Sequence, residues 1–186
     1  MVSLGQEAPD FKLRSSTGES VTLSQFRGEK NVVISWHVMS FTGGWTHQCS
    51  DFRLQNRQFE AIDTQVLGVS VDSAAVQKAY AASLGGLPYP VLADFHPKGE
   101  MSDSYGVYNE ERGVSKRAIV IVDKQGIIRF HKIYDGELPE AKEILAEVKK
   151  VAGIEWVIGI PRFLVIAKSH MRPSCRFGYA VVGSCW

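Results

Sequence analysis

The chain has 186 residues, of which 45% are hydrophobic and 22% charged, and its formal net charge is +1 at pH 7. This length fits one domain with a sizeable core, and the composition is ordinary for a soluble globular protein. The near-zero net charge argues against a protein that binds nucleic acid or an anionic membrane surface.

The cysteines and the apolar stretches indicate the compartment. Cys49, Cys175 and Cys185 are few and odd in number, which favours a reducing compartment over a disulfide framework. No basic segment followed by an apolar run opens the chain, so we expect no secretory signal. The most span-like stretch, residues 157–167, is interrupted by a proline and an arginine, and it is shorter than the ~18 residues of a membrane span. We therefore expect a cytoplasmic protein with no membrane anchor.

The first third of the chain predicts a β-hairpin, a buried strand and a helix. Residues 1–29 alternate polar and apolar side chains around a turn at Ser15–Gly18. NVVISW (31–36) has the continuous β-branched and apolar character of a buried strand. SFTGG then ends the strand, and a helical period begins at Trp45 and runs to Ile62. The spacing predicts that one face of this helix carries Trp45, Cys49, Phe52 and Phe59.

The next segments predict alternating strands and helices. Residues 64–71 form a second buried strand, and a helix follows over 73–85 with Asp72 as its N-cap. LPYPVLAD (87–94) indicates a short strand, and MSDSYGVY (101–108) a helical turn.

The end of this region predicts a second hairpin and a closing helix. Two strands, 117–123 and 126–133, are joined by a turn at Lys124–Gly126. An amphipathic helix then covers 138–153, with Pro139 in its first turn and Gly153 at its end. The element order predicts an α/β fold with a mixed central sheet flanked by helices.

The last part of the chain differs from the rest in its pattern of polar and apolar residues. After Gly153 the amphipathic pattern stops, and the segment matches no element that the fold requires. We expect one domain over 1–153 and a tail of uncertain structure over 154–186. Three alternatives are open for the tail: an appended strand or arm that covers a neighbour, a poorly ordered segment, or a segment outside the native product.

Several motifs in order resemble the peroxiredoxins, the thioredoxin-fold thiol peroxidases. LGQEAPDFKL (4–13) resembles the family's opening, and VLGVSVDS (66–73) its second core strand. The run from Leu92 to Gly113 is similar to the one-cysteine, alkyl hydroperoxide reductase E type. The resemblance covers residues 3 to 152 and implies a thioredoxin-like fold with an N-terminal β-hairpin.

The resemblance also implies site residues. The family signature reads Pro-x-x-x-Thr-x-x-Cys, and the matching stretch here is VMSFTGGW (38–45). Thr42 matches the threonine and Arg117 the active-site arginine, whereas Val38 stands at the proline and Trp45 at the peroxidatic cysteine. The family chemistry needs a thiolate, whose pKa a helix N-terminus and a guanidinium both lower. An indole N–H is only a hydrogen-bond donor and offers no sulfur to oxidise.

Three explanations for Trp45 remain open. In the first, the protein is a catalytically inactive family member that binds or regulates, and Trp45 packs with Trp36, His37 and Phe41. In the second, Cys49 takes over as nucleophile, although a cysteine on the apolar helix face is typical of a buried, inert thiol.

The third explanation is that position 45 is selenocysteine, encoded by a UGA codon that is read as Trp. If Trp156 were also a misread UGA, this time a stop codon, residues 157–186 would be read-through.

By resemblance, we expect a hydroperoxide reductase that uses an external thiol reductant, such as a thioredoxin- or glutaredoxin-like protein, and forms a homodimer. We expect no cofactor. We also expect no metal, because the histidines share no metal-ligand spacing, and His47 and Cys49 would point to different faces of a helix.

Overall fold

The computed structural model describes residues 2–154. Trp156, Cys175 and Cys185 lie outside these residues, as does nearly all of the tail, so the tail and read-through expectations stay predictions.

The described residues form nine strands and four α-helices. The strands are β1 (Lys12–Ser15), β2 (Ser20–Thr22), β3 (Asn31–Trp36), β4 (Thr64–Ser70), β5 (Val91–Ala93), β6 (Tyr108–Asn109), β7 (Val114–Ser115), β8 (Ala118–Val122) and β9 (Ile128–Ile133). The helices are α1 (Gly43–Glu60), α2 (Ala74–Ser83), α3 (Glu100–Ser104) and α4 (Ala141–Val151), and a 3-10 turn covers Leu23–Phe26.

Seven of the strands make one mixed sheet, in the order β2-β1-β5-β4-β3-β8-β9. β3, β4 and β5 run parallel at its centre, and the pairs on either side are antiparallel. All six residues of β3 are buried, as expected for a strand covered on both faces. The predicted α/β fold with a mixed sheet and an N-terminal hairpin is confirmed.

Alternate residues of β3 divide the core into two parts. Val32, Ile34 and Trp36 face a cluster with the N-terminal hairpin and α3, here called the Trp36 face. Val33 faces a cluster with α1, α2 and α4, here called the Trp45 face. The predicted helix face of Trp45, Cys49, Phe52 and Phe59 is buried in the second cluster.

Two predicted details are wrong. Ser73, not Asp72, caps α2, because its hydroxyl accepts a hydrogen bond from the Val76 N–H. Pro139 lies before the first turn of α4, whose N-cap is Glu140. The small β6–β7 sheet was not predicted, since two-residue strands have no recognisable period.

Candidate functional site

The site begins in the loop that joins β3 to α1. Phe41 has a left-handed backbone with φ of 60°, and Thr42 then returns to extended backbone as the N-cap of α1. The Thr42 hydroxyl donates to the Met39 carbonyl at 2.8 Å. Its side chain therefore closes the loop and makes no capping bond to the helix.

The neighbouring strand and helix hold this loop in place. The Ser40 N–H donates to Asp72 Oδ2 at 2.8 Å, and the Ser40 hydroxyl donates to Gln77 Oε1 at 3.2 Å. Ser70 also donates to Asp72 Oδ2, at 2.8 Å. The carboxylate of Asp72 thus fixes the loop, which explains why it does not cap α2.

Trp45 lies in the first turn of α1 and points into the core. Its side chain is 1% exposed and stacks on His37, with ring centroids 3.5 Å apart and an interplanar angle of 2°. The ring of Tyr80 also packs near Trp45, with the two ring centroids 6.2 Å apart. The indole packs against β4 at Gly68, where a Cβ would lie 3.4 Å from Trp45 Cη2.

The expected packing of Trp45 is therefore right for His37 and wrong for the other two aromatic residues. Trp36 lies on the opposite face of the sheet because side chains alternate along β3. Phe41 is 63% exposed, and its ring meets the edge of Tyr80 at 5.0 Å.

The stacked pair leaves buried nitrogen atoms without partners. Within residues 2–154, four buried side-chain nitrogens have no hydrogen-bond partner, and three of them are His37 Nδ1, His37 Nε2 and Trp45 Nε1. Burial, and then the positive charge of Arg117, lower the pKa of His37 well below its usual 6.5, so the imidazole is neutral. Such orphaned groups are rare in native cores and destabilise them by ~1–3 kcal/mol each.

Arg117 lies against the first turn of α1. Its Nη1 donates to the Gly44 carbonyl at 3.3 Å and to Gln48 Oε1 at 3.0 Å. Gly44 permits this approach, because a Cβ there would be 2.9 Å from Arg117 Nη2. Arg117 and Thr42 therefore both lie at the helix start that carries residue 45. Burial lowers the pKa of Arg117, but a guanidinium stays protonated at pH 7.

Gln48 and Ser35 are site residues that the sequence interpretation missed. Gln48 is fully buried, and its Nε2 donates to the Ser35 hydroxyl at 2.7 Å. A signal was present, because Gln48 is a polar residue on the buried stripe of α1. Amphipathic spacing alone says only that such a residue needs a partner.

Arg117 also reaches a surface groove of about 730 Å³ beside the helix start. The groove is lined in addition by Val38, Gly44 and Tyr134. Solvent therefore approaches the arginine from this side, while the indole at position 45 stays covered.

Cys49 is held away from solvent one turn along α1. Its side chain is fully buried, and burial raises its pKa to about 12. Tyr89 donates to the Cys49 carbonyl at 3.3 Å. A thiol in this state is protonated at pH 7 and out of reach of a dissolved peroxide.

The described part of the chain contains no group of three or more histidine, cysteine or acidic side chains that could hold a metal ion. Among residues 2–154, no helix is both long and apolar enough to cross a membrane.

Comparison with known proteins gives one consistent family. Residues 4–131 match the model of the AhpC/TSA family. The chain is 38% identical over 130 residues to alkyl hydroperoxide reductase E of Mycobacterium tuberculosis, covering 70% of this chain and 84% of that protein.

Solved structures agree with this match. Reduced 2-Cys peroxiredoxin of Plasmodium vivax superposes with a TM-score of 0.75 at 25% identity, over 82% of this chain and 98% of that one. Mycobacterium tuberculosis AhpC gives a TM-score of 0.72 at 26% identity, over 81% and 93% of the two chains.

Proposed function

Because the chain belongs to the AhpC/TSA family of peroxiredoxins, we propose that it reduces hydroperoxides at position 45 with electrons from an external thiol. One observation carries the proposal: Arg117 lies on the helix turn that holds position 45, hydrogen-bonded to Gly44 and Gln48. Preorganised positive charge at this place stabilises both an anionic nucleophile and the oxygen that leaves.

We further propose that residue 45 is selenocysteine in the organism and that UGA was read as Trp. The unpartnered nitrogens of His37 and Trp45 support this, because they lie together at position 45. A side chain smaller than indole would open the space beside His37, and a selenolate or thiolate would accept a hydrogen bond from it. The burial of Cys49 and its pKa of about 12 argue against a transfer of the role to that thiol.

The proposed reaction is a two-electron oxidation of residue 45. The selenolate attacks one peroxide oxygen, a Se–O bond forms and the O–O bond breaks, and the other oxygen leaves as an alkoxide or hydroxide that takes up a proton. A first external thiol displaces water from the selenenic acid to give a Se–S bond. A second thiol releases the selenol and forms a disulfide, which closes the cycle.

The roles of the flanking residues follow from their positions. Arg117 stabilises the selenolate and the departing oxygen, and Thr42 fixes the loop through its bond to Met39. We assign the reductant to the thioredoxin- or glutaredoxin-like proteins, the assembly to a homodimer and the location to the cytoplasm, each as part of the proposal.

The experiment measures the reaction of position 45 with peroxide. Trp45→Cys and Trp45→Ser are made in a Cys49→Ser background and mixed rapidly with hydrogen peroxide or cumene hydroperoxide. We expect a fast loss of one thiol equivalent in Trp45→Cys, and none in Trp45→Ser or in the unsubstituted sequence. The Trp45→Ser variant corrects for Cys175 and Cys185.

Two results would overturn the proposal. A folded Trp45→Cys variant that reacts no faster than free cysteine would support the inactive binding or regulatory protein. A fast phase in the unsubstituted sequence that Cys49→Ser abolishes would assign the chemistry to Cys49.

A further inference from the structure

We propose that Arg112 and Lys116 form a carboxylate-binding wall in the groove beside Arg117, and that this wall favours organic hydroperoxides that carry a carboxylate group. Arg112 lies in the turn between β6 and β7, and Lys116 directly follows β7. The inference rests on the proposed function, because it names the class of hydroperoxide that reaches position 45.

The groove is larger than hydrogen peroxide requires. Its volume of about 730 Å³ lies in the range of pockets that bind organic ligands. Gly44 and Arg117 both line it, so it opens onto the helix turn that carries position 45. Val38 and Leu138 add apolar side chains to the lining, and Tyr134 adds an aromatic ring. The groove can therefore hold the organic part of a hydroperoxide whose peroxide group meets Arg117.

The two cations of the carboxylate-binding wall have no acidic partner in the protein. Arg112 and Lys116 are both exposed, and the ion pairs found within residues 2–154 include neither of them. Glu110 and Glu111 of the same turn do not line the groove. A guanidinium binds a carboxylate through two parallel hydrogen bonds, and an ammonium adds a further charge-assisted bond. Both cations are therefore available to an anionic ligand in the groove.

Backbone hydrogen bonds fix the positions from which these side chains project. The Arg112 N–H donates to Asn109 Oδ1 at 3.0 Å, within the turn between β6 and β7. The Lys116 N–H donates to the Val107 carbonyl at 2.7 Å, and Lys116 directly precedes Arg117 in the chain. The segment that supplies the carboxylate-binding wall is thus continuous with the segment that supplies the arginine of the site.

The acidic residues of the groove come from a different segment. Asp135 and Glu137 lie between β9 and α4, and Lys132 Nζ lies 3.9 Å from Glu137 Oε2. These acids repel a carboxylate ligand, whereas Arg112 and Lys116 attract it. The groove therefore gives an anionic substrate one preferred orientation, with its carboxylate towards the segment between β6 and β8.

The test uses pairs of reagents that differ in one charged group. In the Trp45→Cys, Cys49→Ser background, rapid mixing measures the ratio of the rate constants for the para-carboxylate derivative of cumene hydroperoxide and for cumene hydroperoxide itself. Iodoacetate and iodoacetamide form a second pair, which alkylates the thiol at position 45 and needs no peroxide. The Trp45→Ser variant corrects both ratios for Cys175 and Cys185.

The variants change the charge of the carboxylate-binding wall. Arg112→Gln and Lys116→Gln are made singly and together, and Lys116→Glu reverses one charge. Arg57→Gln is the matched control, since it removes an exposed arginine charge from the last turn of α1, outside the groove. Circular dichroism checks the fold of each variant.

We expect the parent protein to reduce the carboxylated hydroperoxide about fivefold faster than cumene hydroperoxide at low ionic strength, the effect that two exposed ion pairs supply. The double glutamine variant should bring this ratio to about 1, and Lys116→Glu should lower it further than Lys116→Gln does. The ratio of alkylation by iodoacetate to alkylation by iodoacetamide should fall in the same order. Salt at about 1 M should weaken the preference, because it screens exposed charges. Arg57→Gln should leave both ratios unchanged.

Two results would overturn the inference: a parent protein with no preference for the carboxylated hydroperoxide, or a preference that persists in the double variant. The single variants decide if the double variant does not fold. Failure of the parent to react with either hydroperoxide would instead overturn the proposed function. The alkylation ratio then still decides whether Arg112 and Lys116 bind a carboxylate, so the two failures are distinguishable.

Discussion

Two buried tryptophans lie on the two faces of the same central sheet, and they differ in whether the indole N–H has a hydrogen-bond partner. Trp36 is fully buried, and its Nε1 donates to the Ser102 hydroxyl at 3.1 Å. Trp45 is 1% exposed, and its Nε1 has no partner. Similar burial thus comes with opposite hydrogen-bonding outcomes.

The surroundings extend this difference. On the Trp36 face, the Ser102 hydroxyl donates to Asp94 Oδ2 at 2.6 Å and lies 2.8 Å from the Ser115 hydroxyl. On the Trp45 face, His37 stacks on the indole with both ring nitrogens unpartnered. One face satisfies the N–H of its indole within a hydrogen-bond network, whereas the other leaves the N–H of its indole without a partner.

The largest expected effect compares phenylalanine substitutions at the two tryptophans. Both Trp36→Phe and Trp45→Phe remove a similar volume, but only Trp36→Phe removes a donor from a satisfied network. We expect Trp36→Phe to lower the free energy of unfolding by ~1–3 kcal/mol more than Trp45→Phe does. Urea denaturation followed by circular dichroism measures both values. Equal losses of unfolding free energy in the two variants would contradict the difference between the two faces.

A second substitution sharpens the comparison at His37. His37→Phe keeps an aromatic ring on Trp45 and removes two unpartnered nitrogens, so it should raise the free energy of unfolding by about 1 kcal/mol. The pKa of His37 is well below 6.5 in the folded protein, so only the unfolded chain takes up this proton as the pH falls below 6.5. The free energy of unfolding is therefore unaffected by this titration above pH 6.5, and it decreases as the pH falls below 6.5.

The advantage of His37→Phe should therefore grow as the pH is lowered from 7 to 5. Urea denaturation at several pH values measures it, with Ser102→Ala on the Trp36 face as a substitution that should destabilise. A destabilised His37→Phe protein would mean that the imidazole has partners in solution.

The smallest expected effect at pH 7 concerns Cys49, because its thiol titrates only at high pH. Burial raises its pKa from 9.0 to about 12, so the unfolded chain releases this proton at a lower pH than the folded protein does. The stability that the buried thiol contributes is complete below pH 9 and is lost as the pH rises towards 12. Cys49→Ser should flatten this loss relative to the unsubstituted sequence in denaturation measurements. Identical slopes would contradict the assignment of Cys49 as a buried, protonated thiol.

The sequence alone was sufficient for most of the fold. β3 and β4 are continuous apolar runs, and α1 carries its apolar residues on one face, so each has a period that burial enforces. The turn of the first hairpin is also recognisable from its glycine. Gly18 has a positive φ of 93°, a backbone conformation that glycine adopts without strain. These elements depend on local sequence patterns, and the structure contains each of them.

The site was only partly predictable, because its contacts join distant segments. Position 45, Thr42 and Arg117 came from the family resemblance, and the structure adds the bonds of Arg117 to Gly44 and Gln48. Asp72 was misread as a helix cap because its partner Ser40 lies 32 residues earlier. The stack of His37 on Trp45 is equally invisible to periodicity, since it joins the residue after β3 to the first turn of α1.

The central claim is that residue 45 is a redox-active selenocysteine where the sequence reads Trp. Mass spectrometry of the protein purified from its own organism tests this directly, on the tryptic peptide that spans residues 31–53. We expect selenium at position 45, with the isotope pattern of that element and the mass of selenocysteine. A peptide of the same span with an intact tryptophan at position 45 would contradict it.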